Sequence, residues 1–554
     1  MVYLSLIIYL IYSFVRSTYT LQMLQQNKYN AKNTYLKWLK SNIKKSFNIW
    51  DFIFIILAPL TFLEENYISI IFEVICIILI FINISSKSQN KKPLKYTARV
   101  KRLVFTNLLV HIVPMFLVKK LIYKYLLLGF IILIDSIYIL IPLWINMPVE
   151  KLVGLYYKQK AKNKLKSMNN IKVIGITGSY GKTSSKNILN DILNIKYNTL
   201  PSPKNYNTPF GLMLTINNYL DKFTDILIAE MGACQEHDIE ELCNLVHPKY
   251  GIITKIGVAH LATFGSREMI QKTKFELIEN LPEDGIGILN KDDEWQRSYK
   301  IKNNCKIKWI GIDEKDADVV AQNIKLSKDG MTFDIVFKDS DEKCSFSTRL
   351  LGYANVYNIL AAVTLGKELG MSIEQLKTGV ARVKSVEHRL ELRKNGNITI
   401  IDDAYNSNPD GAKMALDVLK MMPGKHIVVT PGMIELGSEE YQKNKEFGEQ
   451  ISKVADKVIL VGKEKTKPIL EGLKEKKFNE KNITTINDVM KAFEILDNYK
   501  NEETYVLIEN DLPDIFNERW KNDTWISYNW KRQYAYNNLP STIAWKKQWK
   551  IFDI

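Results

Sequence analysis

Cysteine is scarce: Cys76, Cys234, Cys243, Cys305 and Cys344 are spread over 554 residues with no Cys-x-x-Cys pair. An odd, dispersed set argues against a disulfide framework and against a zinc site, and leaves reduced or buried thiols. Acid is missing from two long stretches. Residues 16–49 and 85–102 each carry seven Lys or Arg and no Asp or Glu. Segment 1–150 holds 17 Lys/Arg against 6 Asp/Glu, a net of +11 within a chain total of +16. Such a basic excess invites a nucleic-acid reading. Here it lies between long apolar runs, where it reads as membrane topology, so no nucleic-acid partner is expected. The first apolar run has no basic residue ahead of it and no small-x-small cleavage site after it. It therefore reads as an anchor and not as a signal peptide.

The apolar runs are Val2–Val15, Phe52–Leu63, Ile68–Ile84, Leu103–Val118 and Leu121–Asn146. Only the last clearly reaches the ~20 residues a bilayer core requires, so four or five spans are expected. Five spans with the N-terminus outside would set both acid-free basic loops, and everything after residue 150, in the cytoplasm. Lys119, Lys120 and Lys124 then fall in an outer turn and must snorkel. Asp51, Glu73 and Asp135 lie in or beside apolar runs, where a paired structural role is the first expectation. At 554 residues the chain is too long for one ordinary domain, and typical domain sizes suggest roughly three or four.

Composition changes after Pro148. A Lys-rich, helical stretch, Lys151–Met168, leads into the β-branched run Ile171–Thr177 and then Gly178-Ser179-Tyr180-Gly181-Lys182-Thr183-Ser184, followed by a helical pattern over Lys186–Leu193. Strand, glycine loop, Lys-Thr and helix form a phosphate-binding order. Backbone N–H groups and the helix N-terminus cradle phosphate oxygens, Lys182 reaches the terminal phosphates, and Thr183 ligates Mg²⁺. Ile176 stands where the commonest form of this loop has its first glycine. Short apolar runs at Ile226–Ala229, Gly251–Ile253 and Gly287–Leu289 alternate with helical segments, which predicts a parallel sheet covered by helices.

Several later features are weak one by one. Asn207 and Thr208 sit in a polar loop ahead of a helix start. Glu230 ends a strand, where a parallel sheet presents ligand groups and where an acid suits Mg²⁺. His260, one of six histidines, follows Gly257-Val258-Ala259. Lys274 lies on a predicted helix, and Asn290-Lys291-Asp292-Asp293 follows another strand. Further on come Gly352-Tyr353-Ala354-Asn355-Val356-Tyr357-Asn358, Glu387-His388-Arg389-Leu390-Glu391, Asp402-Asp403-Ala404-Tyr405-Asn406-Ser407-Asn408-Pro409 and Thr430-Pro431-Gly432-Met433-Ile434-Glu435-Leu436-Gly437.

In order and spacing these segments resemble the Mur ligases of cell-wall synthesis over roughly residues 170–510, and most closely the branch that adds D-alanyl-D-alanine. Ala354 stands where that family has His, and Pro431-Gly432 where the branch has Gly-Asp. The resemblance implies a multidomain fold. A helical transmembrane region (1–150) precedes an α/β phosphate-loop domain (151–384), a smaller Rossmann-like α/β domain (385–512) and an aromatic, basic tail (513–554). It implies ATP and Mg²⁺ as cofactors, with Gly178–Ser184, Asn290, Arg389 and Asp403 on the nucleotide. Thr183, Glu230 and His260 would be on metal. Lys182, His260 and a carbamylated Lys274 would be catalytic, and Asn207, Thr208, Tyr405, Asn406 and Asn408 would be on substrate.

The implied reaction is ADP-forming amide synthesis through an acyl phosphate, with an amino acid or D-Ala-D-Ala joined to a cell-envelope precursor in the cytoplasm. The precursor is soluble or lipid-linked, and membrane lipid is a further partner. Two departures separate this chain from the family. Apolar runs stand where the family has its UDP-gripping N-terminal domain, and Glu509-Asn510-Asp511 stands where the branch has Lys-Gly-Ser, so acids there are expected to face the substrate. Alternatives are a folylpolyglutamate- or cyanophycin-type ligase, or a membrane-anchored NTPase without ligase activity. The tail's Trp520, Trp525, Trp530, Trp545 and Trp549 are read first as packing.

Overall fold

The computed structural model describes residues 2–60, 63–85, 93–168, 170–340, 342–405, 407–434, 436–487 and 489–511. Asn406, Glu435 and the tryptophan-rich tail lie outside the described residues. The chain divides into two compact units, Met1–Tyr156 and the part from Tyr157 onward.

The first unit is helical. Three helical stretches are long and apolar enough to cross a membrane by length and composition: Tyr3–Gln26, Glu65–Ile84 and Asp135–Lys166. Five runs in the sequence thus yield three such stretches among the described residues. Phe52–Leu63 falls mostly in a tight 3₁₀ helix, Ile49–Leu60. Leu103–Val118 is split between Ala98–Ile112 and Pro114–Leu117, where proline supplies no N–H to continue the first helix. Leu121–Asn146 is broken into Leu121–Leu133, Asp135–Tyr138 and a long helix from Leu140 that runs through Pro148 to Lys166. The three acids are paired inside the bundle. Asp51 accepts from Arg16 Nε at 2.8 Å and from the Tyr12 hydroxyl, Asp135 from Ser17 Oγ at 2.6 Å, and Glu73 from Ser5 Oγ at 2.7 Å. Removing one partner of a buried pair such as Arg16–Asp51 would leave an uncompensated charge, which typically costs about 3–5 kcal/mol.

The second unit carries two sheets. In the first the strands are β1 (Lys172–Thr177), β2 (Thr199–Pro201), β3 (Ile226–Glu230), β4 (Tyr250–Ile253), β5 (Ile286–Asn290), β6 (Lys306–Gly311), β7 (Val319–Ser327), β8 (Gly330–Phe337) and β9 (Glu342–Thr348). Their order is β2-β3-β1-β4-β5-β6-β7-β8-β9. It is parallel through β7, as the alternating pattern predicts, and then closes with an antiparallel β7-β8-β9 meander. Alternation divides the core. Ile174, Ile176 and Ile228 pack with Ile188, Ile192 and Ile359 on one face, and Val173, Leu227 and Ala229 with Leu242, Phe275 and Ile278 on the other. A sheet buried on both faces explains why its strands read as continuous apolar runs.

The second sheet contains β10 (Glu391–Asn395), β11 (Ile398–Asp403), β12 (Lys425–Thr430), β13 (Lys457–Val461), β14 (Ile483–Ile486) and β15 (Thr504–Glu509), in the order β10-β11-β15-β12-β13-β14. Only β10 runs antiparallel. The order places β3, β1 and β4 side by side in the first sheet, so their carboxyl ends share one edge. That is where open α/β sheets present ligand groups.

Candidate active site

The loop after β1 is held by its neighbours. Gly178 has φ +147°, and a Cβ there would lie 2.1 Å from Thr254 Oγ1, so only glycine fits. Ser179 N donates to Lys255 O at 2.7 Å, Ser179 Oγ to Gly257 O at 3.1 Å, and the Thr254 hydroxyl to Tyr180 O. Gly181, at φ +78°, turns the chain into helix Lys182–Leu193, whose free N–H groups open toward the loop. Lys182 Nζ donates to Gly178 O at 2.6 Å and Ser179 O at 3.0 Å. Its ammonium thus lies across the loop it belongs to.

Glu230, at the end of β3, pairs in register with Ile176 of β1. Its carboxylate is buried. Oε1 accepts from Asn207 Nδ2 at 3.0 Å, and Oε2 lies 2.9 Å from Lys186 Nζ, with both side chains 2% exposed. Burial works to raise the Glu230 carboxyl, but the Lys186 and Lys182 ammoniums outweigh it and hold the group below the ordinary carboxylate range. Burial in turn pulls Lys182 and Lys186 below the ordinary amine range. Sequence reasoning missed Lys186. The available signal is its spacing of four from Lys182, which stacks both amines on one helix face.

Lys274, on helix Arg267–Glu279, is 3% exposed, with Nζ 5.7 Å from the centre of the Phe264 ring. Burial first, and the charge of Lys182 second, push its amine down to about 7. His260 (φ +60°) is half-buried at the start of the short helix Leu261–Phe264, beyond the Gly257 turn. Asn290, 5% exposed, accepts from Asp292 N at 3.0 Å, and its own N–H donates to Gln296 Oε1 at 2.8 Å. Asp292 and Asp293 organise the surrounding loops. Asp292 accepts from the backbone of Glu314 at 2.7 Å and from the Tyr357 hydroxyl at 2.7 Å, and Asp293 from Ile256 N at 2.8 Å.

The second sheet brings its residues to this edge. The Arg389 guanidinium stacks on Tyr405 at 4.4 Å, and its charge reaches Lys182, Lys186 and Asp403. Tyr405 is hydrogen-bonded to Asn205 and feels the charge of Glu230. Lys255 and Asp410 pair at 3.1 Å across the two sheets. A crevice lined by Ser184, Asn355, Lys384 and Arg389 lies between them. Two predicted substrate residues have local work to do: Thr208 caps helix Pro209–Asn218, and Asn408 caps helix Pro409–Met421. The acid expected at a substrate-facing position, Glu509, is instead fully buried. It lies in register with Asp403 and accepts from Ser407 Oγ at 2.5 Å. Burial, and then the neighbouring Asp403, push the Glu509 carboxyl upward. An inward carboxyl in a dry sheet end stays neutral more readily than a surface acid, and so it does not replace a basic contact.

Oxygen donors suit Mg²⁺, which keeps several waters and uses one or two carboxylates together with substrate phosphates. Glu230 and the Thr183 hydroxyl at the helix start fit such a partial shell. Among the described residues no group of three His, Cys, Asp or Glu side chains is gathered closely enough to hold a metal by itself.

Family models agree with this geometry: "Mur ligase middle domain" matches residues 176–366, and "Mur ligase, glutamate ligase domain" matches 388–509. A UDP-N-acetylmuramoyl-tripeptide–D-alanyl-D-alanine ligase of Buchnera aphidicola (subsp. Baizongia pistaciae) is 31% identical over 345 residues, covering 59% of this chain and 74% of the relative. The chain belongs to the Mur ligase family. The Bacillus subtilis ligase of the same description is 34% identical over 311 residues, 55% of this chain and 66% of that protein. For the Escherichia coli ligase the shared part is 59% of the relative, so this chain spans about three fifths to three quarters of the length of these relatives. Among solved structures, the MurF ligase of Thermotoga maritima in complex with ADP superposes with TM-score 0.58 at 26% identity, over 66% of this chain and 81% of that one. A MurF structure from Acinetobacter baumannii gives TM-score 0.59 at 25% identity, over 65% and 78%. In this Mur ligase the matched region starts at residue 176, after the helical unit.

Proposed function

We propose that the chain is an ATP-dependent ligase that joins the carboxylate of a cell-envelope precursor to an amine, D-Ala-D-Ala being the first candidate. One observation carries this reading. A loop shaped for phosphates shares its edge with a buried Glu230–Lys186 pair, a low-pKa Lys274, and an Arg389–Tyr405 stack from the next domain. A carboxylate is a poor electrophile, and phosphoryl transfer onto it creates an acyl phosphate that an amine can attack. Mg²⁺, when bound, neutralises charge on the phosphates and would be held by Thr183, Glu230 and His260. The chain's own residues supply the rest. Lys182 leaves its own loop carbonyls for the phosphate oxygens, Gly178 and Gly181 let the backbone approach them, and Asn290 and Arg389 meet the nucleotide. Asn207 orients Glu230, and Tyr405 and Asn408 front the amine side.

Lys274 is proposed to react with carbon dioxide to form a carbamate. Its neutral amine is the required nucleophile, and carbamylation would convert its repulsion with Lys182 into attraction. The helical unit is proposed to hold the enzyme on the membrane, with the ligase domains in the cytoplasm and a precursor that is soluble or lipid-linked. The decisive assay follows ADP release by the full chain with ATP, Mg²⁺, a UDP-N-acetylmuramoyl-tripeptide and D-Ala-D-Ala. Release should require both the carboxylate and the amine, and Lys182→Ala should reduce it by about 10²–10³ or more while the protein still folds. Release that ignores the amine would overturn the ligase reading and favour a simple NTPase.

A further inference from the structure

The helical unit contains a pocket of about 540 Å³ at the place where its apolar helix Tyr3–Gln26 ends, within the acid-free basic segment 16–49. Four basic residues, Lys28, Lys32, Arg99 and Lys151, line it together with one carboxylate, Glu150. That carboxylate is already committed: Glu150 Oε1 accepts two hydrogen bonds from Arg102, at 2.9 and 2.7 Å. Arg99 Nε lies 3.7 Å from Glu150 Oε2, is buried, and has no hydrogen-bond acceptor among the described residues. Its guanidinium carbon lies over the Tyr29 ring, 4.0 Å from the centroid, and this cation–π contact helps to position the donor. Among the described residues no carboxylate pairs with Lys28, Lys32 or Lys151. Lys28 and Tyr29 both adopt the left-handed backbone region, at φ +54° and +57°. For residues other than glycine this costs on the order of 1 kcal/mol each, and such strain clusters at ligand clamps.

The rest of the lining is apolar or aromatic. Leu143 forms part of the wall, while Trp144 and Met147 stand 60% and 45% exposed at its edge. Trp144 lies two residues before the end of the apolar run Leu121–Asn146, and tryptophan at the end of an apolar segment marks the headgroup level of a bilayer. A cavity in the ~300–1,000 Å³ range accommodates a ligand well beyond a bare anion. Three lysines without a carboxylate partner, a guanidinium N–H that makes an ion pair but no hydrogen bond, and an adjoining apolar edge together suit both halves of an amphiphile. Basic pockets between apolar helices recognise anionic headgroups in this way.

We propose that this pocket binds the phosphate headgroup of an acidic membrane amphiphile. The proposal rests on the reading of the helical unit as membrane-embedded and adds to it a defined site, through which the enzyme would be held beside phosphate-bearing lipid. Native mass spectrometry of the detergent-solubilised full chain tests it, with dioleoylphosphatidic acid, dioleoylphosphatidylcholine and inorganic pyrophosphate as probes. Phosphatidic acid should be retained at least tenfold more tightly than the other two. Each Lys or Arg near a headgroup contributes about fivefold, so Lys28→Gln with Lys32→Gln should weaken phosphatidic acid by about 25-fold. The same charge change at Lys37 and Lys40, outside the pocket, should leave it unchanged.

Trp144→Ala is the second variant and should weaken phosphatidic acid without affecting pyrophosphate. Equal retention of the two lipids overturns the proposal, as does an equal loss in the Lys37/Lys40 variant. Pyrophosphate binding as tight as phosphatidic acid also overturns it, by making the site one for soluble phosphate. ATP turnover is followed on the same preparations. An inactive chain that still selects phosphatidic acid refutes the ligase reading and supports this one.

Discussion

Replacing Lys274 by methionine tests the chemistry and the electrostatics of the site together. Methionine keeps much of the apolar stem and deletes the amine. The amine is pushed from 10.5 down to about 7, first by burial and second by Lys182. At pH 7.5 about three quarters of it is then neutral, against about one in a thousand for an ordinary lysine. Only the neutral form captures carbon dioxide, so labelled bicarbonate should produce a carbamate carbon signal that rises through about pH 7 and is absent from Lys274→Met.

Stability carries an independent sign. Between about pH 7 and pH 10.5 the unfolded chain holds this proton and the folded chain does not, so stability should rise with pH across that window. Below pH 7 both states are protonated and the folded protein bears the full penalty, roughly 5 kcal/mol at most. Lys274→Met should therefore be more stable than wild type at pH 6, with the difference shrinking toward pH 10. Hydrogen exchange of helix Arg267–Glu279 in the full chain reads this locally. Activity should be lost and partly restored by short carboxylic acids in Lys274→Ala, where the cavity leaves room for them. A carbamate signal that persists in Lys274→Met, or an unchanged pH slope of protection, would refute the reasoning.

Lys186→Met leaves Glu230 buried without its closest cation and should cost about 3–5 kcal/mol, while Lys186→Met with Glu230→Gln should recover much of it, as read by hydrogen exchange at β3. Gly257→Ala places a Cβ 2.2 Å from the Tyr180 ring, so ATP turnover should fall by 10-fold or more, on the order of a lost loop contact, and the added change Tyr180→Ser should restore it. His388 Nδ1–H donates to Asp402 Oδ2 at 2.8 Å where the chain passes from the first sheet's domain to the second, and that bond first, against burial, raises its pKa. A raised histidine contributes stability that is complete below about pH 6.5 and fades as pH climbs through the folded value. His388→Asn should flatten that decline by about 1 kcal/mol or less, measured by proteolysis of the connecting segment 383–390 from pH 6 to 8.

The phosphate loop, the parallel sheet and the order of the site segments were legible in the sequence because each rests on local chemistry. Glycine is required at Gly178 and Gly181 by the backbone, β-branched residues form β1, and a strand followed directly by a helix leaves a ring of free N–H groups. The family resemblance extended this to Glu230, Lys274 and Arg389, which the tertiary structure brings to one edge. What the sequence could not decide depends on packing. Lys186 reads as an ordinary helix lysine until β3 buries Glu230 against it. Glu509 reads as a surface acid until β15 inserts between β11 and β12 and turns it inward beside Asp403.

The helical unit shows the same division. Its apolar runs and basic loops are visible as composition. Where each helix starts and stops depended on Pro114, on the turn at Ile134, and on where Asp51 and Asp135 found hydroxyl and guanidinium partners. Composition and backbone preference act within a few residues and so can be read along the chain. Burial and pairing of charge join residues more than a hundred positions apart, such as Ser17 with Asp135 and Lys255 with Asp410, and only the fold brings them together.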